Sequence, residues 1–192
     1  MNNPMRRLFQ STLEIPRLRK LVNPGKINKT LEIGCGSGYG SQLIMKHFSP
    51  RKIIATDLDS KMISIAQGKY SNKNIDFQVA STTKLPFKDN TFDAVFDFGV
   101  LHHIPEWKKA VKEITRTLKP KGLIIMEDFS IETFESPLGK LLRIILDHPY
   151  DVMYKQKELS NYIKAAGNIV VEEKTLRYFG VLKYFVVVAR KK

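Results

Sequence analysis

Short strand-like runs alternate with helix-length segments along the chain, which predicts an α/β fold: a doubly wound, mainly parallel sheet covered on both faces. Three observations carry this. Apolar runs at 30–33, 52–56 and 75–80 have strand length and are separated by stretches long enough for a helix. Bare glycines follow the first run at Gly34, Gly36 and Gly38, where a strand would hand over to a helix. With 192 residues, 43% of them hydrophobic, the chain can bury one ordinary core, so one domain is expected over 1–192.

The first run reads T-L-E-I-G-C-G-S-G-Y-G-S from Thr30 to Ser41. Leu31 and Ile33 alternate with Glu32, and a helix pattern with Leu43, Ile44, His47 and Phe48 on one face comes next. Such a junction lets a ligand approach the main chain at a helix N-terminus, although a bare turn also serves simply to pack a helix tightly on a strand. The dinucleotide spacing G-x-G-x-x-G fails in both frames, ending on Tyr39 or on Ser41, and no G-x-x-x-x-G-K-[ST] is present.

The second strand, 52–56, ends on Asp57, about 20 residues beyond the turn, where a carboxylate suits both hydroxyls of a ribose. After it, Ser60 is the expected N-cap of a helix carrying Met62, Ile63, Ile65 and Ala66, with Asp59 open between capping and binding. The third strand, 75–80, leads into S-T-T-K-L-P-F, residues 81–87. A fourth segment, T-F-D-A-V-F-D-F-G-V-L-H-H-I from Thr91 to Ile104, has Asp93 opening a strand that reaches Asp97, Phe98 and Gly99. Residues 112–128 then read as a helix, a Pro-Gly turn and a fifth strand.

In this order and spacing, E-x-G-x-G-x-G, Asp57, Leu85-Pro86-Phe87 and the 91–104 segment resemble the motifs of class I S-adenosylmethionine-dependent methyltransferases, over about residues 29–128. The resemblance implies a Rossmann-like, seven-stranded sheet of order 3-2-1-4-5-7-6 with an antiparallel last strand. It implies S-adenosyl-L-methionine as cofactor, held by Glu32, Gly34, Gly36, Gly38, Asp57, Leu58, Met62, Ser81, Thr82, Asp97 and Phe98. One departure stands out. Family members usually carry an aspartate for the adenine amino group where this chain has Ser81, and a hydroxyl accepts there without charge assistance.

The variable segments would shape the acceptor site. Residues 1–28 are expected as an N-terminal helical cap, with an amphipathic helix from 5 to 21 bearing Met5, Leu8, Phe9, Leu13, Leu18 and Leu21 and broken by Pro16. Residues 129–192 are expected to form the substrate side. Leu138, Leu141, Leu142, Ile145 and Leu146 there give one apolar face, suited to a lid or core helix, to a hydrophobic acceptor or to a membrane surface. A helix over 155–166 stopped by Gly167 follows, then closing strands at 169–176 and 184–189.

A sulfonium methyl is already electrophilic, so in-line positioning and water exclusion supply most of what such an enzyme needs. A base is required only for a protonated nucleophile, and His102 and His103 are the candidates. Tyr39 is placed to line the pocket. No N-P-P-Y or D-P-P-Y follows the fourth strand, and Cys35 is the only cysteine, which excludes an internal disulfide and a two-thiol RNA cytosine mechanism. No metal site is expected.

Lys plus Arg number 32 against 19 acids, a formal net charge of +13, dense before the first strand at Arg6, Arg7, Arg17, Arg19, Lys20, Lys26 and Lys29. Such a field favours anionic partners, but no nucleic-acid module is recognisable. Without an apolar run near 18 residues or a leader-like segment, a cytoplasmic location is expected. Three functions stand in order. The first is methyl transfer to O, N or C of a small-molecule acceptor, anionic or hydrophobic. The second is a methyltransferase acting on RNA or protein. The third is a noncatalytic S-adenosylmethionine-binding partner protein, for which Ser81 is the motive.

Overall fold

In the computed structural model, the described residues are 7–8, 10–22, 25–135, 137–145, 149–178 and 182–192. Arg6, Met5, Phe9 and Leu146, and the side chains of Leu13, Leu138, Leu142 and Ile145, lie outside them. Seven strands, β1 (Lys29–Ile33), β2 (Lys52–Asp57), β3 (Ile75–Val79), β4 (Phe92–Phe98), β5 (Leu118–Phe129), β6 (Asn168–Tyr178) and β7 (Leu182–Lys191), form one sheet of order β3-β2-β1-β4-β5-β7-β6. The first five pair parallel, while β7 runs antiparallel to both β5 and β6.

Helix α1 (Ile15–Leu21) precedes β1. Parallel strands need crossovers, and α2 (Tyr39–Phe48), α3 (Ser60–Lys69) and α4 (Trp107–Thr117) supply those from β1 to β2, β2 to β3 and β4 to β5, while residues 80–91 carry the chain from β3 to β4. Between β5 and β6 lie α5 (Pro137–Ile145) and α6 (Gln156–Ala165). Successive strand residues point to opposite faces, and the core divides accordingly. On one face Ile53, Ala55, Phe96, Ile125 and Val186 pack with Ile15 and Leu18 of α1, Leu43, Ile44 and Phe48 of α2, and Ile63 and Ala66 of α3. On the other, Leu31, Ile33, Val95, Ile124 and Val187 pack with Ala110, Val111 and Ile114 of α4 and with Leu159 and Ile163 of α6. The alternation of Leu31 and Ile33 with Glu32 therefore marks two buried faces, because β1 lies inside the sheet between β2 and β4 and Glu32 is itself buried.

Four local expectations are corrected. Pro16 does not break a helix. A π-helical turn over Gln10–Glu14 gives way to α1, and Pro16 sits in the first turn of α1, where its missing N–H goes unneeded. The N-cap of α3 is Asp59, whose Oδ1 accepts from the Lys61 N–H at 2.8 Å, and Ser60 is the first helical residue. No free turn separates α4 from the fifth strand: β5 starts at Leu118 and carries Pro120 and Gly122 through a register shift against β4. The closing strands outrun their apolar patterns because hairpin pairing continues through polar positions such as Lys174 against Val186.

Candidate active site

Every feature of the site lies at the carboxyl ends of the parallel strands. After β1 the chain passes through Gly34, Gly36 and Gly38 with φ of 58°, 51° and 83°, a left-handed path that only glycine takes without strain. A Cβ on Gly34 would lie 2.3 Å from the Val100 side chain, and one on Gly38 would lie 2.8 Å from the Phe77 ring. A Cβ on Gly36 would project into open space, so there the bare backbone leaves room for a ligand rather than for a neighbour.

Asp57, the last residue of β2, ties this turn to the next. Its Oδ2 accepts from the Gly36 N–H at 2.8 Å and its Oδ1 from the Asp59 N–H at 2.9 Å. Each oxygen keeps a further lone pair. Glu32 points from β1 toward α2, where Ser41 donates its hydroxyl to Oε2. Gly40 makes the room, since a Cβ there would meet Glu32 Oε1 at 2.1 Å. Burial, moderated by the Ser41 bond and reinforced by Asp57, pushes the Glu32 carboxyl up to about 7. The Cys35 thiol, buried beside the same two acids, is pushed far up and stays protonated.

Asp97 ends the buried part of β4. Its Oδ1 accepts from the Val100 N–H at 2.9 Å, while its Oδ2 is buried without a hydrogen-bond partner. Burial and then the neighbouring Asp128 carboxylate raise its pKa well above the ordinary range. The chain then turns through a 3-10 segment, Leu101–His103. His102 is 3% exposed, and its Nδ1 bonds to Asp128 Oδ1. The His102 N–H also reaches Asp128 Oδ2 at 3.2 Å, and the Tyr154 hydroxyl donates to that oxygen. The Asp128 carboxylate at Nδ1 fixes the orientation of the ring. His103 is exposed, its ring centroid 4.1 Å from that of His102.

A cavity of about 510 Å³ opens across these strand ends. Of the residues anticipated from sequence, Gly34, Asp57, Leu58, Ser81, Thr82 and His103 line it, together with Val100 and Ile104. Glu32, Gly36, Gly38, Met62, Asp97, Phe98 and His102 are not on its wall. Glu32, Asp97 and His102 are buried, Met62 is half-buried in the first turn of α3, and Phe98 packs against Phe96 at 6.0 Å. Tyr39 is likewise off the wall, with the Arg7 guanidinium 5.0 Å from its ring centroid. The Ser81 hydroxyl pairs with Thr83 Oγ1 at 2.9 Å, a local turn that keeps it at the rim. Among the described residues no group of three or more His, Cys, Asp or Glu side chains is arranged to hold a metal ion.

Residues 31–126, half the chain, match the methyltransferase domain family, and the strand order and glycine turn are those that the motifs implied. The chain belongs to that family. It is a class I S-adenosylmethionine-dependent methyltransferase domain, and S-adenosyl-L-methionine is its cofactor. Over 166 residues it is 26% identical to phosphoethanolamine N-methyltransferase 1 of Arabidopsis thaliana, covering 84% of this chain and 33% of that protein. Over 112 residues it is 36% identical to the demethylmenaquinone methyltransferase of Renibacterium salmoninarum, covering 58% of this chain and 44% of that one. The chain thus spans about a third to under half of the length of these curated relatives. A chain in the complex between the Haloferax volcanii Trm112 methyltransferase activator and a methyltransferase shares the fold, with a TM-score of 0.79 at 17% identity over 97% of this chain and 90% of that one.

Residues that sequence reading missed do supporting work in this methyltransferase domain. Gly40 and Ser41 hold Glu32, and their signal was the fourth glycine of the same turn. Asp128 holds His102, and Tyr154 holds Asp128. Tyr154 lies 52 positions from His102, too far along the chain for any local pattern to show.

Proposed function

We propose that this domain transfers the methyl group of S-adenosyl-L-methionine to an O, N or C nucleophile of a small-molecule acceptor. The observation that carries the reading is a cavity of about 510 Å³ lined by the ribose-type acid Asp57, by Gly34 of the glycine turn and by His103. When bound, the cofactor supplies a sulfonium methyl that is already electrophilic.

The residues present fit such a group. Asp57 keeps lone pairs for a diol, Gly36 leaves open space beside the main chain, and the buried Oδ2 of Asp97 is suited to an ammonium donor. Ser81 and Thr82 offer hydroxyls at the rim in place of the family's aspartate, and Leu58 and Ile104 offer apolar walls. Glu32, Gly34, Gly38, Met62 and Phe98 shape the turn and its flanks.

His103, exposed on the cavity wall, is the side chain available to take a proton from an acceptor that arrives protonated. His102, oriented by Asp128, is the second candidate for that role. The acceptors named for the relatives, phosphoethanolamine and demethylmenaquinone, are small molecules, which supports this class over a macromolecule. A single domain, with 1–28 as cap and 129–192 as substrate side, and a cytoplasmic location go with this reading. No helix among the described residues is long and apolar enough to cross a membrane.

Calorimetric titration with S-adenosylmethionine and S-adenosylhomocysteine, followed by a radiolabelled methyl-acceptance screen of small amines, quinols and carboxylates, tests the proposal. Micromolar binding of both ligands and turnover of a small acceptor is the expected result. Binding without turnover on any small acceptor would return the reading to the noncatalytic alternative.

A further inference from the structure

Helix α5 hangs from the cavity end of the sheet. It follows the 3-10 segment Ile131–Phe134 that leaves β5, and that segment is tied down from both sides. The Ile131 N–H donates to the Tyr154 carbonyl at 3.1 Å, and the Thr133 hydroxyl donates to the Lys183 carbonyl near the start of β7. Gly139 seats α5 on this support. A Cβ there would lie 2.6 Å from the Thr133 carbonyl oxygen and 2.7 Å from the Phe134 Cα, so the helix backbone rests directly on the segment. The Arg143 guanidinium lies 4.9 Å from the Tyr150 ring centroid, and Tyr150 packs edge-on against Phe134.

This seating decides which side faces outward. At about 100° per residue, Ile144 and Leu141 lie about 140° and 200° round the helix from Gly139, on the side away from the support. Ile144 is 82% exposed, the highest value for a large apolar side chain among the described residues, and Leu141 is 51% exposed. Lys140 and Arg143, also exposed, stand between this ridge and the seated side. None of the nine residues of α5 is an acid. The exposed acids nearest in the chain among the described residues, Glu135 and Asp151, lie off the helix. Leu58, at 75% exposed, belongs instead to the cavity wall, and the exposed Ile169 and Val171 share an edge strand with Glu172 and Glu173.

We propose that α5 docks this end of the domain on an anionic lipid surface. A ridge of aliphatic side chains enters the boundary between headgroups and acyl chains, while cations beside it stay at the anionic headgroups. A nucleic acid would leave Ile144 and Leu141 without an apolar partner. A second copy would bring two cationic faces together on chains that each carry +13. One short helix gives a shallow, reversible attachment, and it turns the cavity end of the sheet toward the lipid. Resting on the methyl-transfer reading above, the acceptor is then a small molecule that partitions into the bilayer.

The test is flotation of the full chain with vesicles of phosphatidylglycerol and phosphatidylcholine, in parallel with vesicles of phosphatidylcholine alone. Binding should be about tenfold tighter or more on the anionic vesicles and should weaken as salt rises from about 50 to 200 mM. Ile144→Asp and Lys140→Glu should each weaken it about tenfold or more. Both positions are exposed, so the circular dichroism spectrum and S-adenosylmethionine affinity of these variants should stay as in the parent. Ile144→Trp should bind as well as the parent or better, with indole emission shifting to the blue as anionic vesicles are added. Absence of binding to anionic vesicles, binding indifferent to Ile144→Asp and Lys140→Glu, or an unshifted emission at position 144 would each overturn the proposal. So would a concentration-dependent dimer in sedimentation that Ile144→Asp abolishes, since a second copy would then occupy the face. Cofactor titration and the methyl-acceptance screen are read without vesicles, so failure of docking and failure of the methyl-transfer reading are told apart.

Discussion

At the scale of single residues, the acids at the strand ends have separate tasks. Asp57 fastens two loops through the Gly36 and Asp59 amides while facing the cavity. Hydrogen bonds to a charged group contribute about 1.5–3 kcal/mol each, so Asp57→Ala should weaken S-adenosylmethionine binding by about 10²-fold or more, read by calorimetry. Glu32 has a folded pKa of about 7 against an ordinary 4.5. A raised carboxyl binds its proton more tightly when folded, so the stabilisation is full below about pH 4.5 and is lost as pH rises through about 7. The loss amounts to about 3 kcal/mol. Thermal melts from pH 5 to 8 should therefore show the parent falling relative to Glu32→Gln. Parallel curves would mean that Glu32 ionises normally. The glycines and Asp57 were legible in sequence because backbone conformation and strand ends leave a local trace. Gly40, which clears space for Glu32, was not, because its partner is fixed only once α2 packs on β1.

At the scale of elements, the corrections have physical causes. Asp59 rather than Ser60 caps α3, because the helix starts at Ser60, one residue earlier than the apolar pattern implied. Asp59→Ala should then cost about 1 kcal/mol in a denaturant titration, and Ser60→Ala a few tenths at most. The 3-10 segment after β4 turns His102 inward onto Asp128, and Tyr154 completes the cluster from beyond α5. Tyr154 is 1% exposed, and burial followed by Asp128 and Asp97 keeps its phenol neutral. Tyr154→Phe removes one donor from a buried carboxylate, an expected loss of about 1–3 kcal/mol. A change in the His102 ring resonances by NMR would distinguish this coupling from simple loss of packing with Trp107 and Phe185.

At the scale of the whole molecule, the formal net charge of +13 dominates, with cations at both ends of the sheet. Like charges repel, and added salt screens them within about 10 Å at 0.1 M. The melting temperature should therefore rise between 10 and 150 mM sodium chloride. A fall would show that ion pairs such as Lys119–Asp93 and Arg116–Asp89 outweigh the repulsion. Composition alone reported the size of the excess. The meeting of Lys26, Lys121 and Arg190 at one cleft required the topology, since they are far apart in the chain and come together only across the strand starts of the sheet.

The sequence by itself determined the α/β class, the cofactor family and the residues of the glycine turn, because hydrophobic periodicity, positive-φ glycines and strand-end acids are local consequences of backbone geometry. It also carried the strand order through family resemblance. Tertiary structure alone decided which face of β1 Glu32 occupies, that His102 is buried while His103 reaches the cavity, and that Tyr154 supports Asp128. It alone also brought Lys26, Lys121 and Arg190 to the wall of one cleft. Each of these depends on contacts between residues distant in the chain, and such contacts leave no periodic mark in the order of amino acids.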